Sequence, residues 1–439
     1  MRTISRVTAA LMTTALTTAI LFTTAGPALA QPEDPATETT TATTPPFTTP
    51  NTDDCPYATS PPPAIDLSEV PAPGETAPDA LPVPADAVGG HALGQCGTVT
   101  PDGAPPLPAD ISATAWVLSD LDSGDVIAAK DPHGRYRPAS TIKILLSLVA
   151  LDELDLNKTI VATSEDANAE GSAVGIGQGG VYSNFQLMQG LVMASGNDAA
   201  HALSAQLGGD AVTVEKMNAA ADSLGALDTR TATPSGLDGP GMSSSAYDLA
   251  LFFRTAMQNP TFAQLISTET VQFPGFPKNP EIPEDVDRPP FTLSNDNHLL
   301  YNYDGALGGK TGYTDDARQT FVAGADKDGR RLAVTIMNGD VLPIRPWEQA
   351  ARLLDYGFAL PPGTSVGTLV QPDSVGEVTS TRTAVPTLAS PPNTASGSSE
   401  RESSLKSNGD TAIRVGIGVI GALVVLGLVL AARQLNRKP

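Results

Sequence analysis

The chain has 439 residues and a formal net charge of −22, from 48 acidic against 26 basic side chains. That balance argues against nucleic acid or an anionic lipid surface as the main partner, and it bears on solubility, not on fold. Only two cysteines occur, Cys55 and Cys96; in an exported chain they can pair, and the bridge would close a loop in the N-terminal part, not in the core.

Residues 1–30 carry Arg2 and Arg6, an apolar Thr-rich run through Leu21 and Phe22, and Ala28-Leu29-Ala30. This is the pattern of a secretory signal peptide cleaved before Gln31; for the rival, an uncleaved anchor, the apolar stretch is short. Residues 31–110 are dense in Pro, Thr and Ala, as in Thr39-Thr40-Thr41-Ala42-Thr43-Thr44-Pro45-Pro46. They bury too little apolar area to offset ordering entropy and are expected to form an extended extracytoplasmic stalk, except where a Cys55–Cys96 bridge closes it.

Globular character is expected over 111–362, ample for one large domain. Thr114 to Leu118 and Val126 to Ala128 flank Asp122-Ser123-Gly124 as a hairpin, and a second pair, 321–325 and 332–337, flanks Asp328-Gly329. Between the two pairs the period turns helical, at 142–154, 185–193, 198–207, 212–224 and 246–258, and a final helix is expected at 347–356. The predicted class is α+β: a mostly antiparallel sheet from both ends of the domain, with an inserted helical subdomain.

Beyond Pro362 the composition turns to Ser, Thr, Pro and Gly, so 363–411 reads as a disordered tether. Residues 412–432 read as a transmembrane helix, since Val415 to Ala432 is uncharged and just long enough to span. Arg433, Arg437 and Lys438 in the tail, 433–439, then predict a cytoplasmic C-terminus. The expected location is the cell membrane, single-pass, with the folded domain outside the cytoplasm.

Three short motifs carry chemistry. Ser140-Thr141-Ile142-Lys143 opens an apolar helix, where positions i and i+3 share a face, so the lysine amine can reach the serine hydroxyl. The spacing alone is weak, because Ser403-Ser404-Leu405-Lys406 repeats it in the tail. Ser195-Gly196-Asn197 lies between two helical runs, and singly would read as a helix cap. Lys310-Thr311-Gly312 follows Gly308-Gly309 and precedes the second strand pair.

In this order the three motifs are far more specific than any one of them, and the chain resembles the penicillin-binding-protein and serine β-lactamase superfamily, within it the low-molecular-mass D-alanyl-D-alanine carboxypeptidases. The resemblance also includes Val214-Glu215-Lys216-Met217-Asn218, Thr233-Pro234-Ser235-Gly236-Leu237-Asp238 and Gly312-Tyr313-Thr314. It implies a β-lactamase/DD-peptidase-like fold and an enzyme of peptidoglycan metabolism that removes the terminal D-alanine from stem peptides through an acyl-enzyme and is inhibited by β-lactams. No cofactor and no metal are implied; the four histidines lack zinc-site spacing.

By the same resemblance Ser140 is the nucleophile and Lys143 its base. Ser195 and Asn197 shuttle the proton and hold the substrate amide, Lys310 adds a second positive charge, and the N–H groups of Ser140 and Tyr313 form an oxyanion hole. Thr311, with Gly312 and Tyr313 on the same segment, meets the substrate, its hydroxyl bonding the terminal carboxylate. Arg345 resembles a carboxylate-binding arginine of the family, and a surface arginine is the alternative. Rival functions are a serine β-lactamase, for which no Glu-x-x-Leu-Asn segment follows Ser195, a DD-endopeptidase using the same residues, and a non-catalytic β-lactam or wall-peptide receptor.

Overall fold

The computed structural model describes residues 49–372. The main sheet begins with β1 (Thr98–Val99), β2 (Ala115–Asp120) and β3 (Asp125–Lys130), the last two being the expected first hairpin. A 3-10 turn, Ala139–Ile142, leads into α1 (Lys143–Glu153). The inserted subdomain follows as β4 (Thr159–Val161), α2 (Ser164–Ala167), β5 (Val181–Ser183), α3 (Asn184–Met193), α4 (Asn197–Leu207), α5 (Asp210–Ser223) and α6 (Ala246–Met257). Next are α7 (Pro260–Ser267), the hairpin β6 (Thr270–Phe273) with β7 (Phe291–Ser294), and α8 (His298–Asn302). The chain returns to the sheet as β8 (Ala306–Thr314), β9 (Arg318–Lys327) and β10 (Arg330–Gly339), and closes with α9 (Pro346–Ala359) and β11 (Gly367–Thr368).

The sheet order is β1-β3-β2-β10-β9-β8, with β11 also on β3, and its pairings are antiparallel. Strands from the two ends of the domain meet where β2 lies on β10, Leu118 opposite Val334. Both faces are covered, so these strands are nearly continuously apolar instead of alternating with polar residues. Trp116, Leu118, Phe321, Leu332, Val334 and Ile336 pack under Leu353 and Leu354 of α9. Ala115, Val117, Val322 and Met337 face the helical subdomain, where Leu145, Leu146, Leu191, Phe252 and Phe253 complete a second core. Local chemistry sets the helix starts: the Ser183 hydroxyl accepts from Gln186 N–H at α3, and the Ser245 hydroxyl accepts from Asp248 N–H at α6.

Residues 49–110 differ from the expected stalk. Cys55 and Cys96 are bonded to each other, and the segment lies along the domain as a strap. Its proline-rich backbone offers carbonyls that no helix or ladder uses, and the domain supplies buried cations to meet them. Arg135, 1% exposed, donates to Thr59 O at 2.8 Å, Leu81 O at 2.5 Å and Pro82 O at 2.8 Å. Arg137 donates to Pro62 O and grips the Glu69 carboxylate with two nitrogens. Lys130 donates to Pro50 O, His133 bonds Val88 O, and Asp316 accepts from Ile65 N–H.

The expected single-pass membrane location is corrected here: among the described residues no helix is long and apolar enough to cross a membrane. The segment 412–432 proposed to span lies outside the described residues, as do the signal segment 1–30, the cytoplasmic tail 433–439 and the tether beyond residue 372.

Candidate active site

Ser140 stands in the 3-10 turn between β3 and α1. Ala139 before it takes φ 48, a left-handed conformation that costs a non-glycine residue roughly 1–3 kcal/mol and recurs at functional sites. The turn is held from behind. Thr320 Oγ1 donates to Pro138 O at 2.8 Å, and Gly236, at φ 89, backs onto Ala139 so closely that a Cβ there would lie 2.0 Å from the Ala139 carbonyl oxygen. Only glycine fits that approach.

Lys143, one turn on, is 1% exposed and its Nζ reaches three oxygens: Ser140 Oγ at 2.8 Å, Asn197 Oδ1 at 2.7 Å and Ser235 O at 2.6 Å. A neutral amine suits this set. Its two hydrogens go to Asn197 Oδ1 and Ser235 O, which can only accept, and its lone pair is left facing the serine hydroxyl. Burial, followed by the nearby Lys310 ammonium, pushes the Lys143 pKa well below 10.5.

Ser195 and Asn197 bracket the start of α4. Ser195 is buried and takes φ 59, and no hydrogen bond joins it to Ser140 or Lys143 among the described residues. Asn197 was expected also to hold the substrate amide; its Oδ1 accepts from Lys143 and its Nδ2 donates to Glu170 O at 2.6 Å, which leaves each end of the carboxamide one further bond to make. The next residue, Asp198, is fully buried and accepts the N–H groups of Val174, Gly175 and Ile176 at 2.8–3.0 Å, pinning the loop that carries Glu170.

The third motif lies inside strand β8, not at a turn. Lys310 is 1% exposed and donates to Thr311 O at 2.8 Å; burial lowers its pKa, with the Asp296 carboxylate, 3.8 Å away, opposing the shift. The Thr311 hydroxyl donates to Asp296 Oδ2 at 2.8 Å. A Cβ on Gly312 would sit 3.0 Å from Ser140 N and 3.1 Å from Thr141 N, so the missing side chain lets β8 run against the turn that carries Ser140. The Tyr313 side chain points away, 55% exposed, with its hydroxyl on Asp315. Arg345 is exposed at the N-terminus of α9, and it lines one cavity of about 290 Å³ together with Thr311, Asp296 and His298.

Ser140, Lys143 and Asn197 are therefore joined directly, Gly312 abuts them, and Lys310 and Thr311 are linked through Asp296. The sequence reading missed Ser235 as an acceptor, Asp198 as a loop anchor and Asp296 altogether. Ser235 was within reach, since it lies in the Thr233-Pro234-Ser235-Gly236-Leu237-Asp238 segment, and Asp198 directly follows Ser195-Gly196-Asn197. Asp296 carries no motif: it is held by Asp296 N–H donating to Met193 O, a contact about a hundred residues distant in the chain.

The family model described as D-alanyl-D-alanine carboxypeptidase, peptidase S11, matches residues 101–341. The chain belongs to this family. Its sequence is similar to the D-alanyl-D-alanine carboxypeptidase DacB2 of Mycobacterium tuberculosis, 50% identical over 275 residues that cover 62% of this chain and 90% of that one. It is also similar to DacD of Escherichia coli, 34% identical over 57% of this chain and 64% of that one. Among solved structures it is similar to a D-alanyl-D-alanine carboxypeptidase from Mycobacterium tuberculosis, with TM-score 0.57 and 49% identity over 62% of this chain and 99% of that one. The DD-transpeptidase of Streptomyces K15 gives TM-score 0.53 and 27% identity over 58% of this chain and 100% of that one. As an S11 carboxypeptidase the enzyme is a serine hydrolase acting on peptidoglycan peptides, and its penicillin-binding fold suits acyl-enzyme chemistry and β-lactam binding. The strap lies almost wholly before residue 101, where the family match begins.

Proposed function

We propose that Ser140 is the acylated nucleophile of this carboxypeptidase and Lys143 its general base. The supporting observation is the 2.8 Å separation of Lys143 Nζ and Ser140 Oγ, with the lysine buried beside a second buried lysine. Ser140 Oγ attacks the carbonyl carbon between the two D-alanines while its proton passes to Lys143. The N–H groups of Ser140 and Tyr313 receive the developing oxyanion, where a preorganised donor is worth about 3–4 kcal/mol. As the C–N bond breaks, Ser195 passes the proton to the leaving amine, and water then hydrolyses the ester. Asn197 holds Lys143, Lys310 supplies positive charge, and Thr311 and Arg345 anchor the leaving residue. The domain at work is 111–362.

With β-lactams the same serine forms an ester, and a burst of acylation followed by slow release would separate this enzyme from a lactamase, which turns over fast.

The pH profile tests the base. Lys143 accepts a proton only when neutral, so acylation rises with pH through its pKa. The Lys310 ammonium is one cause of the depression of that pKa. Lys310→Gln should therefore move the acid limb of the residual acylation rate to higher pH; a limb unmoved or shifted to lower pH would show that another group is the base.

A further inference from the structure

We propose that strap residues 62–69 form the acyl-side wall of the substrate cleft, and that Ile65 is a specificity-determining residue there, taking the aliphatic stem of a side chain that lies ahead of the two D-alanines. The inference rests on the reading of Ser140 as the nucleophile, Thr311 as an anchor of the leaving residue and the Tyr313 N–H as an oxyanion donor. Those positions give a bound peptide a direction along β8. With its leaving residue at Thr311 and its scissile carbonyl at Tyr313, the acyl part continues past Thr314, the last residue of β8, towards Asp315 and Asp316. An extended chain advances about 3.3 Å per residue, as the strand beside it does, so the first or second residue ahead of the D-alanine pair comes level with Thr314 to Asp316.

The strap arrives at that end of β8. Asp316, itself buried, accepts Ile65 N–H at 2.6 Å. On the other rim Arg137, three residues before Ser140, donates to Pro62 O and to Glu69 Oε2, each at 2.8 Å. Residues 62–69 therefore bridge the turn that carries Ser140 and the turn that follows β8. The anchors are a backbone N–H, a backbone carbonyl and the Glu69 carboxylate, which leaves the aliphatic side chains in water: Ile65 is 72% and Leu67 81% exposed. Apolar surface fixed in place beside the path of the peptide gains by being covered, and a long side chain can lay its methylene stem there with its polar head still in water. A substrate that ends just ahead of the first D-alanine stops short of this wall. The wall also lies before residue 101, where the family match begins, so it adds selectivity from outside the matched segment.

The test compares kcat/KM on two substrates, acetyl-D-Ala-D-Ala and a pentapeptide in which lysine and two further residues precede the same pair. Ile65→Ser keeps the N–H that bonds Asp316 and removes the aliphatic group. It should lower kcat/KM for the pentapeptide at least about fivefold and leave that for acetyl-D-Ala-D-Ala within about twofold, while Ile65→Leu stays within about twofold of the unaltered enzyme on both. A smaller fall on the pentapeptide, or an equal fall on both substrates, would overturn the proposal. Should Ile65→Ser not fold, the unaltered enzyme decides: it should prefer the pentapeptide by at least about fivefold, and equal efficiency on the two substrates would overturn the proposal. Failure of the underlying site assignment looks different, since folded Ser140→Ala would then still cleave both peptides.

Discussion

Lys143→Arg should lower the rate of acylation by a labelled penicillin by ~10³-fold or more, although the substitution keeps a cation at the same place. A guanidinium stays protonated at any pH the fold survives, whereas a buried ammonium can lose its proton. Lys143 sits where that loss is favoured: it is fully buried, faces Lys310, and offers hydrogens to two carbonyl-type oxygens that a neutral amine can satisfy. The arginine is also too large for the space between Asn197 and Ser235, so thermal melting should accompany the kinetics. Rates within about tenfold of the unaltered enzyme would mean that the amine is not the base.

Arg135→Ala should be the most destabilising single change in the strap region, by about 3–5 kcal/mol, because it removes one partner of a buried ionic network and leaves the rest unpaired. Three strap carbonyls, of Thr59, Leu81 and Pro82, lose their donor, and of the two side chains bonded to the Asp228 carboxylate among the described residues the His133 ring alone is left. A second carboxylate lies beyond it: Asp248, fully buried, accepts from Asp228 N–H, and its pKa is pushed up to about 8 by burial and then by the Asp228 charge. In a domain of this size a loss of that order lowers Tm by roughly 10 °C. Limited proteolysis should then cut the strap between Cys55 and Cys96 first. An unchanged Tm and an uncut strap would mean that the strap does not depend on this arginine.

The first two motifs were legible because each lies at the start of a helix whose apolar period is local. The 142–154 period marks α1, and the apolar pairs mark β2–β3 and β9–β10. Strand β8 was not among the expected strands, and Gly308, Gly309 and Gly312 stand in it although glycine is disfavoured in strands. The structure gives the reason for them: a Cβ at Gly308 would lie 2.2 Å from Ile266 O and one at Gly309 2.1 Å from Val322 O. Helix α7 was announced by an Asn259 cap and Pro260 at its first turn, signals that the apolar period alone overlooks.

The strap was illegible from its own composition. A Pro- and Thr-rich segment lacks the apolar area to fold alone, and what orders it lies elsewhere in the chain, in Lys130, Arg135 and Arg137. Arg137 precedes Ser140 by three residues, so strap and candidate site share one stretch of backbone. Asp296 was hidden for a similar reason, its partners being Thr311 and Met193 and not its neighbours.

The central claim is that Ser140, activated by Lys143, forms the acyl-enzyme. Incubating the protein with a penicillin, digesting it and locating the added mass tests this most directly. The adduct should lie on the peptide containing Ser140 and on that serine, and Ser140→Ala, folded to the same Tm, should carry none. An adduct on another residue, or full labelling of the folded Ser140→Ala protein, would contradict the assignment.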